Sequence, residues 1–331
     1  MKTHQVQQKT ERRISAALRL VFVAALLLGQ IALAFFLSTE LRQRAAIIYT
    51  VLELAAFGYA VRIYNRTDGT SYKFGWIFLV LTVPVVGLIL YFLWNGDRQQ
   101  KRLDLKKLPM PEEPEAQQAA HRIQMEKLRR KYPQWERLSV YLGRQGYLLY
   151  GDTEAKYLPT GEMFLQDMLE KLEQAEHFIF LEFFIIAQGQ IWDRMEEIFR
   201  RKAAAGVEVK IIFDDFGSMM RFPAGQIEAL RESGVEVQVF NPVHHYVNRL
   251  YFNYRDHRKI VCIDGSTAYT GGANVADEYA NLTVRFGYWK DCGIRLDGAG
   301  AWGLTREFLH MWQRNGGQLM QARDYYRPHD H

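Results

Sequence analysis

The sequence predicts an α/β domain in its carboxy-terminal half, preceded by an α-helical membrane region. Three observations carry this. From about residue 146, short apolar runs alternate with helical patterns that close on glycine, the layout of βαβ units. Residues 1–96 hold three long apolar runs. Between them, residues 97–145 form a charged, proline-containing stretch that reads as a linker followed by a helix. At 331 residues the chain has room for one or two such domains.

The amino terminus is polar and basic through Lys2, Lys9, Arg12 and Arg13. An apolar run from Ile14 to Leu37 follows, too long for a signal-peptide core, and reads as a membrane-embedded helix. A second run, Ala45 to Val61, carries Glu53 near its middle; a carboxylate at that depth normally faces protein. The third, Phe74 to Trp94, has aromatics at both ends and reads as the strongest span, kinked by Pro84 and Gly87. Arg98, Lys101, Arg102, Lys106 and Lys107 follow it and place the downstream domain in the cytoplasm. The amino-terminal cations ask for the same side, which three full spans cannot satisfy.

Pro109, Pro111 and Pro114 among acidic residues read as a stiff, solvated spacer, and Ala116 to Lys131 as a polar helix ended by Tyr132-Pro133. In the second half, helices are expected over 161–175, 191–205, 225–233 and 303–314. Strands are expected over 178–186, 207–213, 235–240, 259–263 and 268–270. The net charge of +5 fits either nucleic acid or an anionic membrane, and the apolar runs decide for the membrane, making nucleic acid an improbable partner. Two cysteines, Cys262 and Cys292, give no disulfide framework and no zinc spacing; no metal or cofactor is expected.

The chemistry centres on residues 253–265. His257 and Lys259 are two apart, so on a strand both point to one face. An imidazole beside a fixed ammonium suits attack on a phosphodiester: the imidazole as nucleophile, the ammonium on the phosphate oxygens. A carboxylate near the strand end would orient the imidazole, and the sequence leaves open which one. Arg255 shares the face of His257 in this reading and is a phosphate-binding candidate; Arg258 faces away.

His257-x-Lys259, four residues, then Asp264-Gly265 resembles the signature of the phospholipase D superfamily. Tyr269-Thr-Gly271-Gly272-Ala-Asn274 and Asp277-Glu278-Tyr279 continue it. The Trp76…Pro84-x-x-Gly87…Tyr91 pattern is similar to the amino-terminal helices of bacterial cardiolipin synthases. The resemblance implies a phospholipase D-like mixed sheet flanked by helices, with His257, Lys259 and Asp264 as catalytic residues. Gly272 and Asn274 would bind phosphate. Glu182, in Leu181-Glu182-Phe183-Phe184, would line the cleft as an orienting or binding residue. Asp214 and Asp215 read as a turn.

In that superfamily two copies of the signature make one site. No other histidine here has lysine two residues later, and 67 residues follow Asp264, too few for a second half. Either the second half is missing from this chain or two copies pair. The resemblance implies a multi-pass membrane phosphatidyltransferase acting on an anionic phospholipid, phosphatidylglycerol, through a phosphohistidine, with glycerol released. The alternatives are a phospholipase D-type phosphodiesterase or nuclease, and an inactive half-enzyme that binds lipid or a partner.

Overall fold

Pro84 breaks the apolar run expected to be the strongest membrane span. In the computed structural model, helix α1 is Arg42–Tyr64, α2 is Thr70–Thr82 and α3 is Pro84–Trp94. The structure describes residues 42–66, 69–94, 108–242, 255–318 and 320–327, with scattered positions between 21 and 35. Most of the run at 14–37 and both basic clusters, at 2–13 and 98–107, lie outside the described residues. The chain divides into two compact units, Met1–Leu103 with Val243–Tyr254, and Asp104–Pro242 with Arg255–His331.

In the first unit the chain folds back at Val83–Pro84. Proline offers no N–H to the helix ladder and its ring collides with the preceding turn. Gly87 permits the fold-back: a Cβ there would lie 2.5 Å from the carbonyl oxygen of Leu79. The 21-residue span expected from the sequence is therefore two short helices. Ile47–Tyr64, within α1, is the one helix among the described residues long and apolar enough to cross a membrane. Trp76 and Tyr59 meet Tyr91 edge-on, at 5.5 and 6.4 Å between ring centroids. Lys73 Nζ donates to the carbonyls of Tyr64 and Arg66, where α1 ends.

In the second unit, the stretch expected to be a solvated spacer is packed from residue 108 onward. Glu113 is buried. It accepts from Tyr150 Oη at 2.6 Å, from Trp302 Nε1 at 2.8 Å and from the Arg306 guanidinium. Arg306 also donates to the Pro111 carbonyl, and His310 Nε2 lies 3.0 Å from the Leu108 carbonyl. Helix α4 (Glu115–Lys131), a turn at Pro133–Trp135 and helix α5 (Glu136–Arg144) belong to this unit.

The sheet has strands β1 (Thr153–Leu158), β2 (Phe178–Phe183), β3 (Glu208–Asp214), β4 (Glu236–Phe240), β5 (Lys259–Ile263), β6 (Thr267–Gly271) and β7 (Gly293–Gly298). Their order is β1-β7-β6-β5-β2-β3-β4. Strands β2, β3 and β4 are parallel, as the βαβ reading expects; every other pairing is antiparallel. The sequence reading missed β1 and β7, which carry polar, partly exposed residues and lack an apolar run. Helices α6 (Gly161–Leu172), α7 (Gln190–Ala204) and α8 (Ala224–Glu232) cover one face, against Leu181, Phe183, Val261 and Tyr269. Helix α9 (Ala299–Arg314) covers the other, setting Trp302, Phe308 and Trp312 on Phe178, Phe180 and Ile260. Each of these aromatics, fully buried, stabilises the fold by roughly 1.5–3 kcal/mol.

Candidate active site

His257 lies in the extended segment just before β5, and Lys259 is the first residue of that strand. The entering backbone is fixed by Asp214, at the end of β3. One Asp214 oxygen accepts from Phe216 N at 2.9 Å and the other from Asp256 N at 2.9 Å. The end of β3, with β2 between it and β5, thus holds the backbone from which His257 projects.

Lys259 is buried, with its Nζ 3.2 Å from His257 Nδ1 and 2.8 Å from the His257 carbonyl oxygen. Both groups rest on Phe184, just past β2: the imidazole at 4.8 Å between ring centroids, the ammonium 5.5 Å above the ring. Burial lowers the pKa of Lys259 from its ordinary value. His257 is open to solvent on one side. Desolvation by its packing, and then the charge of Lys259, hold its pKa below the usual histidine range. The ring is neutral at pH 7. An ammonium has only donors, so Nδ1 accepts and the proton resides on Nε2 in this arrangement.

Beside this pair runs the turn from Gly271 to Asn274. Gly272 packs against Asp291 so closely that a Cβ would lie 2.2 Å from Asp291 Oδ1. Asp291 accepts from Cys292 N at 2.8 Å and from Trp289 Nε1 at 3.1 Å, and its charge acts on Lys259. Asn274 is buried. Its Oδ1 accepts from Ile185 N at 3.0 Å and its Nδ2 donates to Tyr279 Oη at 2.8 Å. That places it as a brace between strand ends.

Two expected site residues, Asp264 and Glu182, are not brought to the imidazole, and a third, Arg255, is bound to Asp214. Asp264 sits at the far end of β5, which at ~3.3 Å per residue is about 16 Å long. Its carboxylate accepts from Glu176 N, His177 N and Phe178 N at 2.8, 2.7 and 2.8 Å, so it pins β2 to the β5–β6 turn. Glu182 pairs with Ile260 across β2 and β5 and so shares the face of Ile260, opposite that of Lys259. There it is fully buried 2.5 Å from Arg258 Nη2, and burial, reinforced by the charge of Asp256, raises its pKa well above the carboxylate range. Arg255 lies in the extended segment rather than on the strand, and its Nη1 donates to Asp214 Oδ1 and to the Asn241 carbonyl, both at 3.2 Å.

Phe184, Asp214 and Asp291 are site residues that the sequence reading missed or took for turns. The spacing between each and His257 is long, and only the sheet order joins them. His244 and His245 lie outside the described residues. Cys262 is buried in β5, where burial pushes its thiol up to about 12. Among the described residues no cluster of three or more metal-ligating side chains occurs.

The chemistry of this site meets an independent likeness. Residues 168–284 match the family described as "Cardiolipin synthase, PLD-like domain", and residues 54–95 match "Phospholipase_D-nuclease N-terminal". An uncharacterized protein of Streptococcus mutans serotype c is 37% identical over 77% of this chain and 55% of its own length. Cardiolipin synthase 2 of Bacillus anthracis is 30% identical over 82% of this chain and 53% of its own. The major cardiolipin synthase ClsA of Bacillus subtilis is 29% identical over 76% and 53% respectively. The chain spans about half the length of the curated relatives it matches. A solved structure of the phospholipase D family member Nuc from Salmonella typhimurium, 16% identical, overlays 49% of this chain at a TM-score of 0.36. Residues 168–284, with their part of the mixed sheet and the His-x-Lys signature, carry a phospholipase D-like domain of the kind described for cardiolipin synthase, and residues 54–95 a phospholipase D-type amino-terminal segment.

Proposed function

We propose that the chain carries one signature of a membrane-bound phosphatidyltransferase of cardiolipin synthase type, joining two phosphatidylglycerols with release of glycerol. The observation that carries this is the solvent-open imidazole of His257 held 3.2 Å from the buried Lys259 ammonium. Nε2 of His257 attacks the phosphorus of one phosphatidylglycerol and the bond from phosphorus to the headgroup oxygen breaks. The departing glycerol takes its proton from the histidine of a second signature. A hydroxyl of the second phosphatidylglycerol then attacks the phosphohistidine, gives its proton to that same group, and frees His257. Attack needs the lone pair on Nε2, so the ring proton must pass to Nδ1 as Lys259 turns to the phosphate oxygens. Asn274 keeps one amide hydrogen for a phosphate oxygen, the other being held by Tyr279.

The second signature comes from a second copy of this chain or from residues of a longer protein. The cations after Trp94 favour the cytoplasmic side for the catalytic unit, with the amino-terminal helices as anchor. No metal takes part in the proposed steps, which need only protein side chains.

The test is the full chain in nanodiscs containing radiolabelled phosphatidylglycerol, at one and at two copies per disc. Labelled cardiolipin from two-copy discs, lost in His257→Gln, is the expected result. Undiminished transfer by His257→Gln overturns the assignment. Phosphatidic acid in place of cardiolipin would make the acceptor water and the protein a hydrolase.

A further inference from the structure

Helix α5 has its apolar side turned outward. It has no buried residue, and Trp135, Leu138, Tyr141 and Leu142 are all exposed, Tyr141 to 60%. Positions 135, 138 and 142 are spaced as one helical stripe. The chain just beyond the helix is fastened down. Arg306 Nη1 donates to the Gly146 carbonyl at 3.1 Å, and Leu149 N donates to His121 Nδ1 at 2.9 Å. Within the helix, Gly143 lies against α4, where a Cβ would stand 3.7 Å from His121 Nε2, so the stripe is left on the outer side.

Cations surround it. Residues 127–145 hold Lys127, Arg129, Arg130, Lys131, Arg137 and Arg144 against a single acid, Glu136, a net +5 equal to that of the whole chain. All six are exposed, and Glu136 is itself paired to Arg129 at 2.7 Å. Tryptophan, tyrosine and leucine bordered by arginine and lysine is the composition of a helix lying in a lipid headgroup layer. Lys127 and Lys131 are of a type depleted from protein-binding faces, and six clustered cations complement an anionic surface. A second exposed apolar set, Leu282, Val284 and Phe286, borders the site but has one cation, Arg285, already paired to Glu278 at 3.3 Å.

We propose that α5 is an interfacial helix that docks the catalytic unit on an anionic lipid surface, with Trp135, Leu138 and Leu142 in the headgroup layer and Arg137 and Arg144 on lipid phosphates. The covalent link to the membrane helix α1 keeps the surface at high effective concentration, so a short helix suffices. The inference rests on the membrane association of the chain and not on turnover.

The experiment uses the full chain in nanodiscs of phosphatidylcholine with or without phosphatidylglycerol. A spin label is placed by Leu138→Cys in a Cys292→Ser background; Cys262 is buried and unreactive. The expected result is collision with oxygen several-fold above collision with a water-soluble nickel chelate, in phosphatidylglycerol discs. The preference falls when Arg137→Glu and Arg144→Glu are added, and a label at Glu170→Cys stays aqueous throughout. A Leu138→Cys label that meets the nickel chelate equally in both kinds of disc overturns the proposal. So does one shielded from both reagents, which would mean that protein covers the helix. Activity is not read, so a failed transferase assay leaves this result standing.

Discussion

The Nζ of Lys259 stands 3.2 Å from Nδ1 of His257, and Phe184 lies against both. The ammonium therefore adds to burial in depressing the protonation of the imidazole. Removing the ammonium in Lys259→Met raises the pKa of His257 toward the ordinary histidine value, since one of the two lowering causes is gone. A carbon-detected titration of the His257 ring by NMR measures the shift. An unchanged or lower pKa would contradict the geometry.

The same shifts fix the pH dependence of any transfer. Activity rises with pH as His257 loses its proton, below the usual range near 6.5, and falls again as Lys259 is neutralised below 10.5. The Lys259→Met variant loses the alkaline limb. Initial rates across pH 5 to 10 check both arms (about the span between the two reference values).

Asp264 acts on stability rather than on the imidazole. Asp264→Ala leaves the amides of Glu176, His177 and Phe178 without their acceptor and puts alanine at a left-handed φ of 53°. The cost is about 1–3 kcal/mol for the acceptor, read by thermal denaturation. The titration of His257 stays where it was. A shifted His257 pKa with intact stability would restore the catalytic role.

Gly272→Ala drives a methyl group into Asp291. The expected outcome is a folded protein in which the Asp291 carboxylate leaves the site and the pKa of Lys259 falls, because Asp291 is one of the charges that support it. Transfer drops with little change in melting temperature. A variant with wild-type activity would show that the close approach serves no purpose.

Glu182 gives the buried cluster its pH sensitivity. Its folded-state pKa lies well above that of the unfolded chain, near 4.5, so the folded state holds a proton the unfolded state has lost. The stability from that proton is complete below the unfolded pKa and disappears as pH rises through the folded one. Glu182→Gln flattens the fall in melting temperature above pH ~4.5. Arg258→Ala instead leaves the buried Asp256 carboxylate without its guanidinium partner and costs about 3–5 kcal/mol. The two melting profiles together separate burial from pairing.

Much of this molecule is written locally. The apolar runs at 178–183, 208–214 and 259–263 mark the central strands because a strand covered on both faces must be apolar throughout. His257, Lys259 and the Gly271-to-Asn274 turn sit within 18 residues of sequence, so their spacing alone picks out the signature. What stayed hidden was every relationship that depends on strand order. Glu182 falls on the face away from Lys259 because β2 and β5 pair antiparallel with Ile260 opposite it. Asp264 is carried to the far end of β5, and Asp291 is brought beside Gly272 only by β7 lying next to β6. In the membrane region composition read Phe74 to Trp94 as one span. Backbone sterics at Pro84, with Gly87 free to meet Leu79, made it two helices. Sequence spacing determined which groups could do the chemistry; the register of the sheet decided which of them face one another.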